Sequence, residues 1–150
     1  MRTVETSEYA GLLQSLADNG HTVRVEICGG SMLPFLAPHR DAALIKKPDR
    51  PLRCGDIVFC RIPSARGERY ILHRISRITD DGFYMIGDAQ NVCEGPFPES
   101  CVFGVAVSVV RRGKTVTPES LVWKFYSGPW LRHAALRRAA LRLRKGPLRR

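Results

Sequence analysis

A serine stands between two glycines and a methionine in Gly29-Gly30-Ser31-Met32-Leu33-Pro34-Phe35-Leu36. Glycine allows backbone angles that other residues resist, and the proline fixes the chain that leaves the turn. Such a turn can hold a hydroxyl rigidly at a surface. A serine hydroxyl is a poor nucleophile by itself and needs a base from elsewhere in the chain. Further short motifs follow in order: Gly55-Asp56-Ile57-Val58, His73-Arg74-Ile75 and Gly87-Asp88-Ala89-Gln90-Asn91. Each is weak alone. A serine in a glycine turn is most often a turn residue, and a histidine in a strand is most often a satisfied core or surface group. Their occurrence together, in this order, is the specific signal.

The elements that must position these residues read as short and mostly extended. Residues 3–18 form an amphipathic helix in which Tyr9, Leu12, Leu13 and Leu16 follow one face, and Asn19-Gly20 stops it. Val23, Val25 and Ile27 alternate with Thr22, Arg24 and Glu26, a half-buried strand that runs directly into Gly29-Gly30-Ser31. Ala42 to Ile45 is a second apolar run. Ile57 to Ile62 is strongly β-favouring, Pro63 to Gly67 is a hairpin loop, and Tyr70 to Ile78 is the return strand. Alternation puts Ile71, His73, Ile75 and Arg77 on one face of that strand and Leu72, Arg74, Ser76 and Ile78 on the other. After the turn Asp80-Asp81-Gly82, Phe83 to Ile86 is a short strand, and a polar loop runs from Gly87-Asp88 through Gly95-Pro96. Val102 to Val110 is the last strand, after which Arg112-Gly113-Lys114 turns the chain into Thr115-Val116-Thr117. Short strands separated by closely spaced turn signals indicate a mainly β domain.

Over roughly residues 23–107 the four motifs resemble the signal peptidase I family and its relatives, the LexA-type self-cleaving repressors. The shared mark is Ser-Met-x-Pro-x-Leu, a Gly-Asp-hydrophobic strand, the base, and a second Gly-Asp turn. The likeness is greatest to the archaeal, endoplasmic-reticulum and sporulation-type signal peptidases, which carry a His-Arg-hydrophobic motif where other members carry a catalytic lysine. The resemblance implies coiled antiparallel β-sheets and a serine endopeptidase with Ser31 as nucleophile and His73 as general base. It also implies a carboxylate that fixes the histidine tautomer, for which Asp88 and Glu94 both lie in the right loop. The family places a second acid, commonly aspartate, six residues after the turn aspartate; here that residue is Glu94. The oxyanion hole would consist of backbone N–H groups of Gly30, Ser31 and Met32, because Gly29 stands where many relatives have a serine. His39-Arg40-Asp41 occupies a place where the family often has a Gly-Asp turn. The substrate implied is a leader or signal-type peptide or protein, with no cofactor and no metal.

Composition bounds the alternatives. At 150 residues the chain is expected to hold one core. Nine of its 24 basic residues follow Glu119, and in the chain up to and including Glu119 15 basic residues face 14 acidic ones. The body is therefore near neutral, and no specific nucleic-acid partner is expected. The five cysteines are odd in number and none forms a CxxC pair, which argues for reduced thiols in a cytoplasmic setting. Neither a signal peptide nor a membrane-spanning run is visible in the sequence. Residues 1–20 read as the N-terminal helix, 21–117 as the catalytic β domain, and 118–150 as a basic tail of aromatic and amphipathic character. Within Trp130 to Lys145, Ala135, Leu136, Ala139, Ala140 and Leu143 gather on one arc, with Leu131 and Leu141 outside it. The tail reads either as a helix peripheral to an anionic membrane surface, with tryptophans at headgroup level, or as one docked on the domain. A weak or inactive peptide-binding module of the same fold is the alternative to an enzyme. A self-cleaving repressor is disfavoured. The segment before Ser31 is too short for a helix-turn-helix with a linker, and His73 replaces the lysine.

Overall fold

The alternating and continuous apolar runs assemble into one antiparallel sheet. The computed structural model describes the backbone of residues 3–145 and the side chains of residues 11–142. In chain order the elements are α1 (Thr3–Asp18), β1 (Val23–Glu26), β2 (Ala42–Lys46), β3 (Ile57–Ser64), β4 (Gly67–Thr79), β5 (Gly82–Ile86), β6 (Glu94–Phe97), a 3₁₀ turn (Glu99–Cys101), β7 (Val102–Arg111), β8 (Lys114–Val116), α2 (Leu121–Ser127), α3 (Pro129–Arg132) and α4 (Ala134–Lys145). The strands lie in the order β1-β2-β7-β3-β4-β5-β6, and β8 pairs with β7. The fold is therefore mainly β, with a helix near each end, as the turn spacing predicts.

β3 is covered on both faces, which is why Ile57-Val58-Phe59-Cys60 is a continuous apolar run and not an alternating one. Ile57 and Phe59 point into a larger core with Met32, Phe35, Leu36, Ile45 and Phe103. Val58, Cys60 and Ile62 point into a second core with Ile71, Ile75, Phe83 and Met85. Both cores border β4, the strand that carries His73.

Some sequence expectations are corrected. The buried face of α1 is formed by Leu13 and Ala17, while Leu12 and Leu16 face solvent; Tyr9 lies outside the described side chains. The loop expected from Gly87 through Pro96 ends in an edge strand, β6, paired at Phe83–Phe97 and Met85–Glu94. Proline and glycine hide it. Gly95 has φ 144°, and a Cβ there would come within 2.7 Å of the Phe83 carbonyl oxygen, so only glycine fits that approach. On α4 Leu141 and Arg137 are buried and Ala140 packs against the larger core, while Leu136 is exposed. The arc read from 100° spacing thus meets the docked face only at Ala140; Leu143 lies outside the described side chains.

Ser120 starts α2 by accepting a hydrogen bond at Oγ from the Trp123 N–H at 3.3 Å. Trp123, Tyr126 and Trp130 are buried, and Phe35 packs against Trp123 and Tyr126 with ring centroids 5.8 and 5.0 Å apart. Both tryptophans therefore complete the protein core and do not sit at a headgroup level. Among the described residues no helix is long and apolar enough to cross a membrane.

The His39-Arg40-Asp41 stretch acquires a physical account. Asp41 is fully buried and accepts bonds from the N–H of Ala37 at 2.8 Å, the N–H of Arg112 at 2.9 Å and the Arg40 guanidinium. Burial alone would raise its pKa, but the bonds from Arg40, Arg112 and Ala37 outweigh burial and bring it down to about 2. The carboxylate ties the β7–β8 turn to the loop behind the serine. That contribution to stability is present above the ordinary carboxylate range and is lost as pH falls toward 2.

Candidate active site

β1 delivers the chain into Cys28-Gly29-Gly30, where Gly29 takes φ 72°, a left-handed conformation that favours glycine. Three buried apolar side chains, Met32, Phe35 and Leu36, then pin the turn into the larger core. Backbone bonds close it, from the Leu33 N–H to Gly30 O at 3.2 Å and from the Leu36 N–H to Met32 O at 2.9 Å. Ser31 is left half-buried at the rim. The N–H groups of Gly30, Ser31 and Met32 donate to no group among the described residues.

β4 places the histidine. His73 lies opposite Val58 on β3, between Ile71 and Ile75, and is 6% exposed. Its Nε2 is 3.1 Å from Ser31 Oγ, within hydrogen-bond reach. Its Nδ1 is buried and has no partner. Burial is the main influence on the ring and lowers its pKa below the ordinary histidine value. Arg69 pushes the same way, and Glu94 and Asp88 push back. Burial thus favours the neutral imidazole, the form that accepts a proton.

The two carboxylates expected at the histidine are both engaged elsewhere. Asp88 gives one oxygen to Arg74 Nε and the other to Arg74 Nη2, each at 2.9 Å. Arg74 spends Nη1 on the carbonyl of Gly55 at 3.0 Å. Both side chains are essentially inaccessible to solvent, at 0% and 1%. Glu94 gives Oε2 to Arg69 Nη2 at 2.8 Å. Ser31 and His73 are therefore brought together, and neither acid is hydrogen-bonded to His73.

The second Gly-Asp turn instead buttresses the serine backbone. The Ala89 N–H donates to Ser31 O at 2.9 Å. Gly87 packs so closely on that same carbonyl oxygen that a Cβ would overlap it. Gln90 closes the turn, accepting the Gly87 N–H at Oε1 at 2.9 Å. Trp130 donates its indole N–H to the Asp88 carbonyl at 2.8 Å, so α3 braces the turn from behind. The first Gly-Asp turn works on β4: the Gly55 N–H donates to Ile75 O, and the Ile75 N–H to Asp56 O, both at 2.8 Å. Two of the four motifs thus carry the paired serine and histidine, and two hold those residues in place.

Arg74 is the residue whose role sequence reasoning missed. Its signal was present: it alternates away from His73 onto a face with Leu72, where a buried guanidinium requires a carboxylate partner. The five cysteines are all free thiols. No protein-family model, curated protein or solved structure matches the chain.

Proposed function

We propose that the protein is a serine endopeptidase with the coiled β fold of the signal peptidase and LexA-type proteins, cutting a leader or signal-type peptide. The observation that carries this is the 3.1 Å contact between His73 Nε2 and Ser31 Oγ. His73 takes the serine proton as Oγ attacks the peptide carbonyl, then hands it to the leaving amine. The free N–H groups at Gly30, Ser31 and Met32 are the donors for the developing oxyanion, with no side-chain donor at Gly29.

A fluorophosphonate probe tests this directly. Mass spectrometry is expected to find one adduct, on the peptide that contains Ser31; no adduct, or one elsewhere, overturns the assignment. The labelling rate should rise with pH through a limb below 6.5, since burial lowers the His73 pKa and the neutral ring persists into mild acid. A limb above the ordinary histidine range would contradict that placement.

The partnerless Nδ1 of His73 favours a second reading, a peptide-binding module of the same fold with little turnover. It predicts that a peptide binds but remains uncut on long incubation with active-site titrant silent. We also place the protein in the cytoplasm, with α2 turning Leu121 and Phe125 outward beside exposed Lys124 as the groups that would meet anionic lipid. Co-flotation of the full chain with anionic vesicles, lost in a Leu121→Ser/Phe125→Ser variant, is the expected result; equal flotation of both refutes that contact.

A further inference from the structure

Glu94 and His73 rise from the same face of the sheet. Ile75 of β4 lies opposite Met85 of β5, and Met85 lies opposite Glu94 of β6. Ile75, His73, Ile71 and Arg69 alternate along the uninterrupted β3–β4 register, so all four project to that face. Glu94 acts electrostatically on the ring, as do Arg69 and, from the loop after β5, Asp88. Yet the nearest polar atom of the ring to be satisfied, Nδ1, is buried and empty, while Glu94 spends Oε2 on Arg69 at 2.8 Å.

We propose that Arg69 is a latch on the site: it holds Glu94 off the open Nδ1 of His73, and an acidic side chain of a peptide substrate releases Glu94 by taking its place on the guanidinium. The proposal rests on the Ser31–His73 reading and adds the regulation and substrate class of that site. With Nδ1 unpartnered, nothing obliges the ring proton to leave Nε2. A proton there is donated to Ser31 Oγ, and the ring cannot act as base. A carboxylate on Nδ1 fixes the productive tautomer and stabilises the imidazolium that forms. No atoms are exchanged in the switch; two carboxylates compete for one guanidinium.

The state of the pair suits such an exchange. Arg69 and Glu94 are 51% and 37% exposed, so water screens their attraction and a second carboxylate replaces the first at little cost. Glutamate has one methylene more than aspartate, which extends the range of its carboxylate. Arg69 is thus a positioning residue, and its effect must pass through Glu94.

A two-by-two set of full-length variants tests the latch: wild type, Arg69→Ala, Glu94→Gln and the double variant. With a neutral fluorophosphonate probe, Arg69→Ala is expected to label Ser31 about tenfold faster than wild type, and the double variant to lose that gain. Equal labelling of wild type and Arg69→Ala, or a gain that survives in the double variant, overturns the proposal. A second readout needs no activity. In a Ser31→Ala background the His73 ring is titrated by its Cε1–H resonance. Arg69→Ala should raise the midpoint when Glu94 is present and much less when it is glutamine; an equal rise in both would mean simple charge removal and no latch. Finally, matched peptide libraries containing Glu or Gln should be cut at different rates by wild type, the acidic set faster, and at equal rates by Arg69→Ala. A preference that persists without Arg69 overturns the substrate assignment. Failure of every variant to label Ser31 would refute the peptidase reading, and the titration would still decide the latch.

Discussion

Replacing Asp88 by alanine is expected to lower the stability of the fold by about 3–5 kcal/mol, because it strands the Arg74 guanidinium at a site with 0% exposure. Total stabilities of such domains are only about 5–15 kcal/mol, so the loss is a large share of the whole. The pair holds its geometry through two bonds of 2.9 Å and a third from Arg74 to the Gly55 carbonyl at 3.0 Å. Urea unfolding with circular dichroism measures the change. Removing both charges in Arg74→Met/Asp88→Leu should restore most of the loss, since the penalty lies in the unpaired buried ion and not in the missing attraction. An Asp88→Ala protein as stable as wild type to within about 0.5 kcal/mol would show that the guanidinium finds another partner or water. Were Asp88 instead the acid that orients His73, Asp88→Asn would slow acylation and leave the unfolding midpoint in place.

The second large effect is on turnover. On the proposed mechanism, Ser31→Ala and His73→Ala each lower kcat by about 10⁴–10⁶-fold, and the double variant is no worse than either alone, because nucleophile and base act as one unit. Ser31 is half-buried and among the described residues its side chain bonds only the histidine, so Ser31→Ala should leave stability within about 0.5 kcal/mol. Cleavage of a leader-type peptide, followed by mass spectrometry, gives the rates. Retained turnover in Ser31→Ala would transfer the chemistry to another group; additive losses would mean that Ser31 and His73 do not work together.

Much of the site could be read from residue order. A strand ending in Gly29-Gly30-Ser31 and a histidine in the return arm of a hairpin are local patterns, and the folded sheet brings those two side chains into contact, with His73 held opposite Val58 of β3. The carboxylates were less legible. Asp88 and Glu94 sit at the expected spacing, but which cation claims each one depends on Arg74 and Arg69 crossing between strands, and spacing along a chain does not encode that. β6 was hidden because Gly95 and Pro96, residues that signal a loop, lie between its two paired residues Glu94 and Phe97. The docked faces of α1 and α4 were only partly foreseen, at Leu13 and Ala140, for a related reason. Leucines were available on more than one side of each helix, and contact with the domain chose Leu13, Ala17 and Leu141 over Leu12, Leu16 and Leu136. The tryptophans at 123 and 130 looked interfacial in isolation. Only Phe35, far away in the sequence, shows what they cover.

The hydrogen bonds that finish the site also set when it can exist. They join residues 42 apart at Ser31–His73, 42 apart at Asp88–Trp130 and 76 apart at Phe35–Arg111. Closing loops of that size costs entropy before the contacts return it, and nonlocal sheets of this kind fold in milliseconds to seconds, well behind their helices. During synthesis Ser31 leaves the ribosome long before the strand that supplies its base and the indole that braces its support. The nascent chain therefore passes through the crowded space around the ribosome with an inert hydroxyl, and on the proposed activity the protein matures into a protease only when α2 and α3 have docked.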